Sequence, residues 1–195
     1  MRSAAAVAAF AAAILLTACS WLGGSPEIAH HAAATSAADK AQAAGAAALR
    51  DGNYEQALDQ LALSWKESPD NPAVSRDFAA ALEGLKRSGD EALRQGAPDE
   101  AGKRWTAALR HVGHPATRGR ALSFSRADLK ASVDHLSATL MEKGLKEYQT
   151  GNLEAAVAVW RSILAYDPAN AEAAKSIKTT TTQIENLKKL PPPAK

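Results

Sequence analysis

Cysteine occurs once in this chain of 195 residues, aromatic residues make up 5% of it, and charge of neither sign dominates. A lone cysteine excludes an intramolecular disulfide and any multi-cysteine metal site. So few aromatic and β-branched residues argue against a sandwich, a barrel or a parallel sheet. A formal net charge of +2 is too balanced for a nucleic-acid binder on bulk charge alone. No nucleophile elbow, phosphate-binding glycine loop or zinc-protease helix motif occurs. What the chain has in excess is alanine, the best helix former. The composition therefore predicts an all-α protein without disulfides; the missing motifs lower the odds of an enzyme without excluding one, and the expectation is a non-catalytic protein without cofactor or metal.

The first 18 residues read as an address. Arg2 supplies a minimal positive start, and Ala4 to Leu16 is an uncharged apolar run. At 1.5 Å per residue that run spans roughly 20 Å, short of the ~30 Å hydrocarbon core, so it suits a signal segment and not a membrane helix. It ends in Leu16-Thr17-Ala18-Cys19, which resembles the lipobox of bacterial lipoproteins. The resemblance implies cleavage after residue 18, a diacylglycerol on the Cys19 thiol, and acylation of the new amine (palmitate). Ser20, where inner-membrane retention would call for aspartate, implies the outer membrane, with the protein facing the periplasm. Two or more chains anchor stably, because each buried methylene contributes about 0.8 kcal/mol. Residues 19–35, with Gly23-Gly24, Ser25-Pro26 and no helical periodicity, read as a flexible tether.

The body, residues 36–187, carries an internal repeat. Gly45–Pro69, Gly89–Gly113 and Gly144–Pro168 align without gaps. Matching positions hold Gly45/Gly89/Gly144, Leu49/Leu93/Tyr148, Gly52/Gly96/Gly151, Ala57/Ala101/Ala156 and Leu61/Trp105/Trp160. The pattern resembles the tetratricopeptide repeat (TPR), and the third copy carries its signature most fully through Gly144, Tyr148, Gly151, Leu153, Ala156, Trp160 and Asp167-Pro168. Copy two departs from it, with Pro98 at the usual aromatic position and Gly102 after Ala101. The mechanical reading is that small residues let two helices approach, the middle glycine reverses the chain, and the large residue fills the space between repeats.

The spacing is irregular. Successive first glycines lie 44 (45 to 89) and 55 (89 to 144) residues apart, against a standard period of ~34. The first excess lengthens a helix from Pro72 to about Gln95. The second holds a loop, Gly113 to Leu122, and a helix over 123–150 about 40 Å long. The stripe of that helix, Leu129, Val133, Leu136, Leu140 and Tyr148, is spaced like a coiled-coil seam, so part of it must meet another element or another chain. A capping helix over Ala169–Leu187 should turn Ala174, Ile177, Ile184 and Leu187 inward. Residues 188–195, with three prolines in a row, read as a disordered tail. The expected fold is thus two to three TPR-like helix hairpins, irregularly spaced with elongated helices, plus a C-terminal cap.

Two surfaces are candidates for contact. By the TPR resemblance, the first helix of each repeat lines a concave groove for a partner's helix or extended segment. That groove would use Leu49 and Arg50 beside Gln42 and Ala46, then Lys86 and Arg94 beside Asp90 and Leu93, then Met141, Leu145 and Tyr148 beside Gln149. It reads as apolar with basic flanks. The second surface is a stretch from Ala101 to Ala127 without a single acid, holding Lys103, Arg104, Arg110, Arg118, Arg120 and Arg126. It is either a solvated loop and helix end or a contact for an anionic lipid surface or acidic partner. His111 and His114 lie in the same stretch without an accompanying metal ligand and suit a helix end.

The leading expectation is a non-catalytic, lipid-anchored interaction module of the bacterial envelope, an assembly or scaffold factor at the outer membrane that binds a protein partner and no nucleic acid. The alternatives are a homodimeric scaffold formed through helix 123–150 and a regulator of a cell-wall enzyme.

Overall fold

The structure, a computed structural model, describes residues 26–189, with side chains described from residue 37 onward. The expected leader, Cys19 and the expected proline-rich tail from residue 190 lie outside the described residues. Among the described residues there are seven α-helices: α1 (Pro26–Arg50), α2 (Tyr54–Glu67), α3 (Pro72–Arg94), α4 (Pro98–His111), α5 (Arg126–Gln149), α6 (Leu153–Leu164) and α7 (Ala171–Lys188). A 3-10 turn, Pro115–Thr117, lies between α4 and α5, and no strand occurs among the described residues. None of the described helices is long and apolar enough to cross a membrane.

Each helix packs on the next in sequence, and the reversals from α1 to α2, from α3 to α4 and from α5 to α6 are built alike. Gly52, Gly96 and Gly151 end α1, α3 and α5 with φ of 74°, 77° and 84°, a left-handed conformation that side chains beyond Cα disfavour. One residue later the same long return bond forms three times: Asn53 N to Ala48 O, Ala97 N to Ala92 O, and Asn152 N to Glu147 O, at 2.8, 2.9 and 2.9 Å. This is the glycine-terminated cap that satisfies otherwise orphaned carbonyls.

Above each reversal a glycine receives a large side chain from the returning helix. A Cβ on Gly45 would stand 2.7 Å from Leu61 Cγ, and one on Gly89 would stand 2.6 Å from Trp105 Nε1. On Gly144 it would overlap the Trp160 indole. Ala57, Ala101 and Ala156 are fully buried on the opposing helices. Three helical hairpins, α1–α2, α3–α4 and α5–α6, therefore close on one rule at the positions the repeat predicts. The departures in copy two have a cause as well. Pro98 opens α4, where its missing N–H costs nothing, and Gly102 leaves room for the Tyr166 ring from the end of α6.

Between hairpins two and three the array is interrupted. The loop after α4 runs along α3: Ser75 Oγ donates to Ala116 O at 2.7 Å, Arg120 Nη2 to Pro72 O at 3.0 Å, and Ser123 Oγ to Glu83 Oε2 at 2.7 Å. Phe78, fully buried, stacks on His114 with ring centres 4.7 Å apart. The loop thus accounts for much of the excess length by covering α3.

Four boundaries and faces differ from the sequence reading. α1 already begins at Pro26, so residues 26–35 of the expected tether are helical; alanine propensity outweighs the lack of an apolar stripe there. α5 begins at Arg126, because Ser125 and Asp128 form a reciprocal capping box. Most of its stripe is covered within the chain by α4 and α6, with Leu129, Leu136 and Leu140 buried and Val133 and Tyr148 half-buried. The seam therefore needs no second copy to bury it. Finally, α7 is rotated from the expected face: Ala173 and Thr180 are buried, Ile177 and Ile184 half-buried, Ala174 exposed, and Leu187 is 51% exposed.

Candidate functional site

The third hairpin and α7 enclose a cleft of about 580 Å³. Met141, Leu145 and Tyr148 form its α5 wall, Trp160 its floor, and α7 residues from Glu172 to Thr180 the other wall. Positions 141, 145 and 148 fall on one face of a helix by their spacing of four and three. Tyr148 Oη donates to Gln183 Oε1 at 2.9 Å and bridges the two walls at one end. Leu145 is 48% exposed, although it borders this apolar space.

The other residues expected in a shared groove are not part of this cleft. Lys86 pairs with Asp90 at 2.6 Å, and Arg94 pairs with Glu91. Leu49 packs half-buried on the core, and Arg50 is exposed at the end of α1. The three hairpins differ at one pair of positions, and this explains the difference. Where α5 has Met141 and Leu145, α3 has Lys86 and Asp90, 55 residues earlier in register. Asp90 accepts from Trp105 Nε1 at 3.1 Å and so covers that ring with an ion pair. In the third hairpin the Trp160 indole donates to Met141 O at 3.3 Å instead, and the space above it stays apolar. The first hairpin has Gln42 and Ala46 there; Gln42 Oε1 accepts from Asn71 Nδ2 at 3.0 Å and ties α1 to α3.

A second cleft of about 430 Å³ continues the first along α5, sharing Met141 and Glu172 with it. Its charged lining is Asp134, Asp167 and Glu172, and the first cleft adds Glu142 and Lys175. Asp134 is paired with Lys130 at 2.6 Å. The flanks of this face are therefore mainly acidic, the reverse of the basic flanks read from the repeat alone.

The basic stretch is also altered by folding. Lys103 pairs with Glu100 at 2.7 Å and with Asp99 at 3.7 Å, and these carboxylates raise its pKa. Arg110 pairs with Glu55 at 2.7 Å, Arg104 donates to Ser88 O at 2.7 Å, and Arg120 is held by Pro72 O. Arg118 and Arg126 make no ion pair among the described residues. The six cations do not form one open patch, because α2 and α3 bring Glu55, Asp59 and Glu83 against a segment that has no acid of its own.

The two histidines have structural partners. His114 Nδ1 accepts from Ala116 N at 3.2 Å, which requires that nitrogen unprotonated, and burial lowers its pKa, helped by nearby His111. His111 is likewise lowered by burial, against the pull of Asp59 at 3.6 Å. Among the described residues no group of three or more His, Cys, Asp or Glu is placed to hold a metal ion.

No known protein family, curated protein or solved structure matches this chain.

The sequence reading missed the floor and the far wall of the cleft, Trp160 and α7. A signal for the wall was present. Shifting the chain by 99 residues superposes Asn170 on Asn71 and Ala173, Ile177, Thr180 and Ile184 on Val74, Phe78, Ala81 and Leu85. α7 is thus the counterpart of α3, and it must pack on α6 as α3 packs on α2.

Proposed function

We propose that this protein is a non-catalytic, TPR-like interaction module, held at the periplasmic face of a bacterial outer membrane by lipid on Cys19, that binds a protein partner along α5 and α7. The observation that carries this reading is the cleft over Trp160. It is an apolar, half-open surface that the chain's own repeats cover elsewhere. Lys86 with Asp90 closes it in the second hairpin, and the Gln42–Asn71 bond closes it in the first. A monomer that leaves such a surface open gains a contact site at the cost of exposed apolar area. Lipid at the amino end would confine the cleft to a thin layer beside the membrane and raise its effective concentration for a partner held there. The lipobox residues and the three-fold hairpin rule support the two halves of this assignment.

The test has two arms in cells. Palmitate label should enter the protein and be lost on Cys19→Ser. A photoreactive residue at Tyr148 should give one discrete protein adduct whose yield drops in the Cys19→Ser background. Label that persists without Cys19 would remove the anchor from the proposal. An adduct profile identical to that of a probe placed at exposed Arg87 would remove the cleft.

A further inference from the structure

We infer that the cleft selects a cationic amphipathic segment, one in which lysine or arginine alternates with large apolar side chains. This deepens the reading above and rests on it. Local charge here runs against global charge. The whole chain is net positive by +2, so bulk electrostatics would repel such a segment. The two joined clefts are lined by Asp134, Glu142, Asp167 and Glu172 against Lys175 alone, a formal balance of −3 (four acids, one base). Of these acids Asp134 is neutralised by Lys130 and Asp167 accepts from Asn170 Nδ2 at 3.0 Å. Glu142 and Glu172 are exposed on facing helices and have no ion-pair partner among the described residues. They flank Met141, where the two clefts meet.

The apolar half of the recognition lies next to this acidic stretch. Leu145, Tyr148 and Trp160 offer aliphatic and aromatic surface, and Tyr148 and Trp160 sit with ring centres 6.3 Å apart. From Val133 to Tyr148 the surface follows 15 residues of α5 (133 to 148), roughly 22 Å at the helical rise. An extended segment at about 3.3 Å per residue covers that length with about seven residues. Alternation suits it, because successive side chains of an extended chain point to opposite sides and same-side residues lie two apart. An anionic segment, or an anionic headgroup surface, would meet Glu142 and Glu172 and be repelled.

The experiment uses the full chain in detergent. Fluorescence anisotropy is read with a labelled peptide of about seven residues alternating lysine with leucine and phenylalanine, and with its twin carrying glutamate for lysine. The lysine peptide should bind at least ~10-fold more tightly than the twin. The preference should collapse near 1 M salt, where the screening length falls to about 3 Å. Glu142→Lys with Glu172→Lys should reverse the order of the two peptides. Both sites are exposed, so the fold should tolerate the change. Leu145→Asp should weaken both peptides; the second hairpin has aspartate at this register, so that variant also keeps its fold. Equal binding of the two peptides, lost on Leu145→Asp, overturns the charge selection and leaves the cleft as a docking site. Binding that ignores both Leu145→Asp and the charge reversal overturns the cleft as well. Failure of the lysine peptide to bind overturns the inference.

Discussion

The stretches α1–α3 and α5–α7 are one three-helix unit used twice, 99 residues apart (Pro72 to Ala171), with opposite treatment of the inner surface. Both open their third helix with an asparagine cap, Asn71 or Asn170, whose Oδ1 accepts from a first-turn N–H at 3.0 Å. Both nest a large side chain on a glycine. Yet α1 touches α3 directly, whereas α5 and α7 diverge around a cleft. The difference lies in a few side chains. Leu61 is a compact floor and Trp160 a wide one, while Gln42 reaches Asn71 and its counterpart Met141 carries no side-chain amide to do the same. α3 then continues into a hairpin and receives the loop after α4 on its outer face. α7 has Lys188 where α3 has Gly89, and a lysine there would block the close approach of a further helix. One backbone unit thus has its inner surface closed in one copy and open around a cleft in the other.

The strongest way to break this comparison is to exchange the two nests. Gly144→Ala drives a Cβ into the rigid Trp160 indole, while Gly45→Ala drives one against Cγ of Leu61 at 2.7 Å, a smaller side chain that is itself fully buried. Overpacking costs about 1–3 kcal/mol, and alanine returns about 1 kcal/mol of helix propensity. Gly144→Ala, at the upper end of that range, should therefore lose about 2 kcal/mol net in urea unfolding, and Gly45→Ala, against the smaller side chain, about 1 kcal/mol or less. In the background of Trp160→Leu, which copies the first unit, the cost of Gly144→Ala should shrink by at least about 1 kcal/mol. An unchanged cost would mean that the glycine is required for another reason.

These nests were legible before the fold was known, because glycine and its large partner sit a constant 16 residues apart (45 to 61, 89 to 105, 144 to 160). Both ends of the contact lie within one hairpin, so local spacing encodes it. The cleft was legible only on one side. Met141, Leu145 and Tyr148 follow from the repeat, but the acidic flanks and the α7 wall depend on how hairpins stack, and that register is long-range. The face of α7 was misread for a smaller reason. Thr180 counts as polar in a stripe search although its methyl packs well, and Ala173 and Ala174 are indistinguishable by type. The basic stretch misled in the opposite direction, since absence of acids along the chain says nothing about acids across a helix pair such as Glu55 with Arg110.

The asparagine caps sharpen the comparison at a smaller scale. Removing an N-cap costs about 1 kcal/mol. Asn71→Ala removes the cap and also the bond to Gln42 that ties α1 to α3, whereas the Asn170 amide bonds only its neighbour Asp167. In urea unfolding Asn71→Ala should cost more than Asn170→Ala, and Gln42→Ala should remove that excess. Equal costs would show that the Gln42 bridge contributes nothing to closing the first unit.

Acidification should separate the two units as well, since only the first is covered by histidines. His114 has its folded pKa below the ordinary value of 6.5, from burial and then from His111. Between those two values the unfolded chain binds more protons than the folded one, so stability rises with pH across that window. The contribution is complete above 6.5 and falls as pH drops toward the folded value, as Nδ1 takes a proton and loses the Ala116 N–H. Amide protection factors, in which the intrinsic pH dependence of exchange is divided out, should fall at Ala116 and Thr117 from pH 7 to pH 5 more than across α6. His114→Asn, whose side-chain oxygen can accept the same N–H, should flatten the dependence. A pH response equal in both regions would sink the assignment to this histidine.

The smallest effect expected is a gain, and it comes from reading the third-hairpin register back onto the first. Ser64 is fully buried on α2, and its hydroxyl has no hydrogen-bond partner. The same register holds Ala108 in the second hairpin and Ile163 in the third, both buried. The position is therefore an apolar one that happens to carry a hydroxyl. An unsatisfied buried polar group costs about 1–3 kcal/mol, part of which is returned by the contacts the oxygen makes as a filler of space. Ser64→Ala should stabilise the protein by about 1 kcal/mol, the alanine of the second hairpin showing that its volume suits the site. Ser64→Val should gain less or lose, because the surrounding packing was built around a small group. A loss of stability in Ser64→Ala would mean that the hydroxyl has a partner the fold has yet to reveal, and that the register equivalence fails at this position.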